Sequence, residues 1–152
     1  MPQREAKPTP GDLFEIPLED GRLGYGQVLS ATLYGFFAIA SEERVPVEKV
    51  LRSPAAFRIG CLTGDLEEGL WPVLGNFPLA PAMREPLKLF RSTAPDFWFI
   101  YEWRPETGGH DRWVAREEAA GLERAGLWEP RSAAKRLAMY LRGEPCPWVE
   151  TA

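Results

Sequence analysis

The chain has 152 residues and a net charge of −4, with 45% hydrophobic and 26% charged residues. This composition predicts a folded chain and excludes an intrinsically disordered one. It has no apolar run of about 18 residues, the length that a membrane span requires. The negative charge disfavours a nucleic-acid partner, whose phosphates require a basic surface, and favours a basic protein partner.

The amino-terminal residues and the two cysteines bear on organisation and location. Residues 1–10 are polar and contain three prolines, which predicts a flexible lead-in before a single domain over residues 11–152. The first residues have no apolar stretch typical of a signal peptide, and Cys61 and Cys146 form no paired motif. We therefore expect a cytoplasmic protein with free thiols.

The first part of the predicted domain has the pattern of a β-meander. Two extended runs, residues 13–18 and 22–29, flank a short acidic turn and predict a hairpin. Gly24 and Gly26 lie inside the second run, where glycine marks a bulge, a bend or a close backbone approach. The nearly continuous apolar run at residues 33–40 predicts a central strand that is covered on both faces.

The middle of the chain predicts short strands separated by turns. Residues 45–51 are expected to form an edge segment or an irregular turn, and residues 63–69 an acidic turn. Residues 77–86 hold three prolines and predict an ordered loop. The glycine pair within residues 108–111 predicts another turn. Strands are expected at residues 57–62, 70–76, 86–90 and 97–103.

The last part of the chain changes from a strand-like to a helix-like period. Residues 115–122 and 133–142 predict two helices, the second with Ser132 as its N-cap and Gly143 just past its end. Strands followed by helices indicate the α+β class. We expect a strongly curved, mainly antiparallel β-sheet or a small SH3-like barrel, with one or two C-terminal helices packed on it.

Neither the glycines nor the single histidine predicts a catalytic or cofactor site. Gly24 and Gly26 lie within a strand, whereas a phosphate loop opens a helix. His110 lies in a predicted turn, which would leave its ring solvated and poorly placed to activate a serine or cysteine. One histidine and two distant cysteines also lack metal-ligand spacing. We therefore predict no catalytic residue, metal or cofactor.

The tryptophans divide into two groups by their sequence context. Trp128 and Trp148 lie in proline- and glutamate-rich segments, where partial exposure is easier. Exposed tryptophans anchor interfaces or stack on bases, although core packing is the commoner use. Core positions are predicted for the other four, Trp71, Trp98, Trp103 and Trp113.

Several short segments, in order along the chain, resemble one protein family. They are residues 11–18 (GDLFEIPL), 24–29 (GYGQVL), 34–37 (YGFF), 70–79 (LWPVLGNFPL) and 117–123 (EEAAGLE), with Arg136-Leu137 near the end. Together they resemble the immunity protein 26 family of bacterial polymorphic toxin systems. The resemblance implies a protein that neutralises a partner toxin.

The leading hypothesis is therefore a non-enzymatic immunity protein that binds a toxin domain and blocks it sterically and electrostatically. The partner would present a basic surface, and neither nucleic acid nor a membrane would be involved. A nucleic-acid or small-ligand module on a curved barrel is the alternative, followed by a hydrolytic enzyme that uses an acidic cluster or His110. The candidate toxin-binding residues are Glu19, Asp20, Asp65, Glu67 and Glu68.

Overall fold

The computed structural model describes residues 7–152, so residues 1–6 of the predicted lead-in lie outside the described residues. The strands are β1 (Asp12–Pro17), β2 (Leu23–Val28), β3 (Leu33–Ser41), β4 (Ala55–Cys61), β5 (Val73–Asn76), β6 (Leu87–Ala94), β7 (Phe97–Arg104), β8 (Gly108–Val114) and β9 (Leu127–Trp128). The helices are α1 (Val47–Leu51), α2 (Gly64–Glu67) and α3 (Pro130–Leu141), with 3₁₀ turns at Pro81–Met83 and Arg116–Ala119.

The strands form two mainly antiparallel sheets. The six-stranded sheet has the order β5-β1-β2-β3-β4-β9, and the three-stranded sheet has the order β6-β7-β8. Only the short β4–β9 pair is parallel among the strand pairs of residues 7–152. The mainly antiparallel α+β prediction is confirmed. The closed-barrel alternative is wrong, because β5 and β9 are separate edges of an open sheet.

The glycines of β2 lie at a bulge, which is one of the predicted reasons for glycine there, and they leave room for neighbouring side chains. The pairing of β2 with β3 shifts register between Gly24 and Gly26, which marks a bulge. A Cβ atom at Gly24 would lie 2.7 Å from a methyl carbon of Leu137 on α3. At Gly26 it would meet the ring of Phe14. The hairpin can therefore pack closely on both strand and helix neighbours only because these positions lack side chains.

The core lies on both faces of the six-stranded sheet. On one face, Phe14 stacks on Trp71 at 5.4 Å between ring centroids, and Leu137 packs in the same cluster. On the other face, Phe37 belongs to a cluster that includes Trp103 of β7. α3 thus covers one face, and the three-stranded sheet packs over part of the other. The strand predicted at residues 33–40 is covered on both sides, as expected.

Residues 121–128, which we call the bridging segment, join the two sheets at one side. Its Ala125 N–H donates to the Phe90 carbonyl of β6 at 2.7 Å. Further along, Leu127 and Trp128 form β9 beside β4. The C-terminal residues return along the same segment, where the Arg124 N–H donates to the Glu150 carbonyl at 2.8 Å. One short stretch therefore contacts both sheets and the chain end.

The turn predicted at residues 108–111 is wrong, because these residues begin β8. The turn lies just before them, at residues 105–107. Gly108 takes a φ of 75° at the start of β8, a left-handed conformation that glycine adopts without steric cost. β8 is an edge strand whose side chains are mostly exposed, so it carries no hydrophobic alternation that sequence analysis could detect.

Two helical segments also differ from their predictions. Residues 115–122 do not form an α-helix; Arg116–Ala119 form a 3₁₀ turn, which ends before Gly121 at a φ of 81°. Residues 45–51 contain α1 rather than an edge segment or an irregular turn. α1 begins after Pro46, because proline constrains the backbone just before the first turn and needs no hydrogen-bond partner there.

The C-terminal helix is present but begins earlier than predicted. α3 starts at Pro130 with Glu129 at its N-cap position, so Ser132 lies inside the first turn. Proline suits this first helical position because its missing N–H would have no partner inside the helix. The helix packs its buried residues, among them Ala133 and Leu137, against the six-stranded sheet.

Candidate functional site

The turn between β1 and β2 carries two of the candidate acids, Glu19 and Asp20. Arg22 donates two hydrogen bonds to one Asp20 oxygen, from Nε at 2.9 Å and from Nη2 at 2.8 Å. These bonds lower the pKa of Asp20, with a smaller contribution from Arg142 at 4.0 Å. Glu19 forms no ion pair among residues 7–152. The charge of Asp20 is thus balanced by a direct ion pair, while Glu19 interacts with Arg142 only at longer range.

The other three candidates lie together at α2. Leu66 is buried and holds this single helical turn against the core. Asp65 and Glu67 are half-buried, and Glu68 is exposed at the C-cap. The hydroxyl group of Thr63 donates to the Glu67 carboxylate at 2.7 Å, which orients that side chain. α2 therefore presents three carboxylates from a rigidly anchored turn.

A groove of about 300 Å³ connects the two acidic elements. Glu19 and Asp65 line it together with Trp71. Arg131 and Lys135 of α3 line the same groove, so its charge is mixed. The structure therefore brings two of the five candidate residues to one groove, while the other three do not line it: Asp20, Glu67 and Glu68.

A second groove, which sequence analysis missed, lies beside the bridging segment. Its volume is about 330 Å³. Both partly exposed tryptophans line it, as do several charged side chains; we call it the tryptophan groove. Its lining includes Glu123, Arg124, Trp128, Glu129, Trp148 and Glu150. These residues come from two stretches of the chain, 123–129 and 148–150, so the only local signal was the proline- and glutamate-rich context of the two tryptophans. The structure shows Trp128 half-buried and Trp148 51% exposed.

The residues considered for nucleophilic chemistry lie in separate environments. Cys61 is buried in β4, and burial raises the pKa of its thiol to about 12. Cys146 is half-buried beyond α3, and both thiols are free, as predicted. His110 is exposed on β8, with Nε2 3.1 Å from the Thr107 carbonyl oxygen. A thiol that stays neutral in the core does not act as a nucleophile near neutral pH.

Two of the other four tryptophans follow the prediction that they lie in the core. Trp71 and Trp103 are buried, and Trp98 is half-buried. Trp113 was predicted in the core and is 63% exposed. It lies on the edge strand β8, where its ring packs beside Phe99 at 4.2 Å between centroids and leaves most of its surface in solvent.

A buried ionic group on the six-stranded sheet has a structural role. Glu15 of β1 is nearly inaccessible and accepts hydrogen bonds from the guanidinium of Arg44 at 2.9 and 3.2 Å. The Tyr25 hydroxyl lies beside this carboxylate and accepts the Val45 N–H at 2.8 Å. Burial raises the pKa of Tyr25. These contacts tie the loop after β3 to β1 and β2.

No helix of residues 7–152 has both the length and the hydropathy that a membrane crossing demands. No curated protein and no solved structure shows a significant match to the chain. The family model described as immunity protein 26 matches residues 9–97, which include β1 to β6. Because this match covers more than half of the 152 residues, the chain belongs to the immunity protein 26 family.

Proposed function

We propose that this protein is the immunity component of a bacterial polymorphic toxin system and neutralises a cognate toxin in the cytoplasm. Membership of the immunity protein 26 family supports this role and implies a cognate toxin partner. Immunity proteins of this kind are generally non-enzymatic, so the activity is binding. The bound protein would cover the active site or the substrate path of the toxin.

The contact that we propose is electrostatic as well as steric. The observation that carries it is the set of three carboxylates, Asp65, Glu67 and Glu68, at the anchored α2 turn beside the groove that Glu19 lines. With a net charge of −4 for the whole chain, these acids favour a toxin with a basic surface. Complementary charge accelerates association and disfavours wrong partners. Neither nucleic acid nor a membrane is needed for this activity.

The test uses the toxin domain encoded beside the gene for this protein. Co-expression of the two should restore growth that the toxin alone arrests, and the purified proteins should form a stable complex. Replacing Asp65, Glu67 and Glu68 by their amides should slow association by about tenfold at low salt, because such charges act mainly on the association rate. The rate difference should shrink as salt is added.

The matched control changes three exposed acids elsewhere, Glu42, Glu43 and Glu48, to glutamine. It removes the same charge and should leave the association rate close to that of the wild type. Equal rates for both triple variants would contradict the proposed acidic contact. Failure of the wild-type protein to bind the toxin or to protect cells would contradict the proposed function itself.

A further inference from the structure

The backbone that forms the tryptophan groove is hydrogen-bonded to both sheets and to the C-terminal residues. The floor of the groove is the bridging segment, which is hydrogen-bonded to β6 and forms β9 beside β4. One wall is the C-terminal segment, whose Thr151 forms an antiparallel bridge with Glu123 of the bridging segment. The Ala152 N–H also donates to the Leu122 carbonyl at 2.9 Å. The groove therefore has a defined shape before any partner binds.

The groove exposes apolar surface that no described part of the chain covers. Leu127 is 58% exposed and Trp148 is 51% exposed. The guanidinium carbon of Arg136 on α3 lies 5.0 Å from the Trp128 ring centroid and packs over this ring. Exposed tryptophans that line a concave surface are typical anchors of protein interfaces.

The charges at the groove favour a cation. Three carboxylates line it, of which Glu123 is paired with the Arg136 guanidinium of α3, against the single lining guanidinium of Arg124. That guanidinium is already engaged, because it pairs with Glu150 at 2.8 Å and lies 4.8 Å from the Phe90 ring centroid. Glu129 has no ion-pair partner within residues 7–152. A carboxylate without a partner beside exposed indole rings is the environment in which a cation gains both an ion pair and a cation–π contact.

We propose that the tryptophan groove receives an arginine or lysine side chain of the toxin, an inference that rests on the proposed function. The groove volume of about 330 Å³ suits one long side chain and excludes a folded element. The aliphatic part of that side chain would pack on Leu127 and Trp148, while its charge faces Glu129. This contact would anchor the complex, in addition to the acids near α2.

A minimal probe tests the groove without the toxin. The peptide acetyl-Gly-Arg-Gly-amide is titrated into the protein, and the indole N–H resonances of the tryptophans are followed by NMR. The Trp148 and Trp128 resonances should shift saturably, and the Trp113 resonance should not. The citrulline peptide, which has the same shape without the charge, should bind about tenfold more weakly.

Two variants and two matched controls locate the contact. Glu129→Gln and Trp148→Ala should each weaken arginine-peptide binding several-fold. Glu106→Gln changes an exposed acid in the β7–β8 turn, and Trp113→Ala removes another exposed tryptophan; both should bind like the wild type. Equal binding of the citrulline peptide, stronger binding of a glutamate peptide, or no shift at Trp148 would overturn the proposal.

The cognate toxin domain separates this inference from the proposed function. If the wild type neutralises the toxin and the Glu129→Gln/Trp148→Ala double variant binds it about tenfold or more weakly, both proposals are supported. If the double variant binds the toxin as tightly as the wild type, the groove proposal fails while the immunity function stands. If the wild type itself does not bind, the immunity function fails, and the peptide titration alone decides whether the groove binds cations.

Discussion

Arg136 of α3 holds Glu123 of the bridging segment in a two-point ion pair, with Nη1 2.9 Å from Oε2 and Nη2 2.6 Å from Oε1. Its guanidinium also lies 4.2 Å from the Phe57 ring centroid and faces Trp128. The Arg136 side chain is only 11% exposed, and the Glu123 side chain is 19% exposed. The pair therefore fastens the bridging segment to the helix from inside the protein.

Breaking this pair should be costly. Arg136→Met keeps much of the aliphatic packing and leaves the Glu123 carboxylate without its partner, so we expect a loss of about 2–3 kcal/mol in the free energy of unfolding. Urea denaturation of the variant and the wild type measures this difference in the free energy of unfolding. The control, Arg112→Met, breaks an exposed pair with Glu118 and should cost less than about 1 kcal/mol. Equal costs would show that the Arg136 pair behaves as a surface pair.

Side chains added at the β2 glycines should destabilise the protein in a defined order. At Gly26 a Cβ would meet the Phe14 ring and lie 2.8 Å from the Gly35 carbonyl oxygen, which cannot move without disturbing β3. At Gly24 it would meet only the mobile ends of leucine side chains. Gly26→Ala should therefore cost about 2–3 kcal/mol and Gly24→Ala about 1 kcal/mol. Gly64→Ala, with open space around it, should be neutral in the same thermal or urea unfolding.

The Gln27 side chain should hold the loop after β5 in its folded conformation. Its buried amide nitrogen lies 3.2 Å from the Gly11 and Pro78 carbonyl oxygens and 3.3 Å from that of Phe77, and its oxygen accepts the Ala80 N–H at 3.0 Å. Gln27→Leu removes the partner of the Phe77 and Pro78 carbonyls and of the Ala80 N–H and should cost about 2–3 kcal/mol. Hydrogen exchange of the Ala80 amide should accelerate more than that of the Val28 amide. Unchanged exchange at Ala80 would contradict this role.

The Cys61 thiol should make stability fall at high pH. Burial raises its pKa from 9.0 to about 12. Because the folded pKa lies above the unfolded value, the contribution is fully present below about pH 9 and is lost as the pH rises through about 12. Cys61→Ala should therefore lose less stability than the wild type between these limits, measured by urea unfolding at each pH. Parallel slopes for the wild type and Cys61→Ala would contradict the argument.

The elements that sequence analysis predicted well are those whose own residues carry the pattern. The β1–β2 hairpin was predicted from two extended runs about an acidic turn, and the coverage of β3 on both faces from its nearly continuous apolar run. β8 was missed because an exposed edge strand needs no apolar residues, and its Gly108-Gly109 start has the composition of a turn. The start of α3 was misplaced because Ser132 is a good N-cap residue, although Pro130 suits the first helical position better.

The sites were harder to predict than the strands, because they depend on residues far apart in sequence. Glu19 and Asp65 share a groove only because β1 and α2 both pack beside α3. The tryptophan groove needs Trp128 and Trp148, which are separated by the whole of α3. The sequence context of each tryptophan left its exposure open, and the approach of the two rings depends on the strand pairing of the C-terminal residues.

The bridging segment also couples the binding of a partner to the stability of the contact between the two sheets. Its hydrogen bonds join β6 of one sheet, and its pairing with β4 joins the other. A partner would bind in the tryptophan groove only while both sheets hold this segment. The binding free energy of the partner would therefore add to the free energy needed to separate the sheets. Separation of the two sheets would in turn destroy the binding surface, so loss of this tertiary contact would also release the toxin.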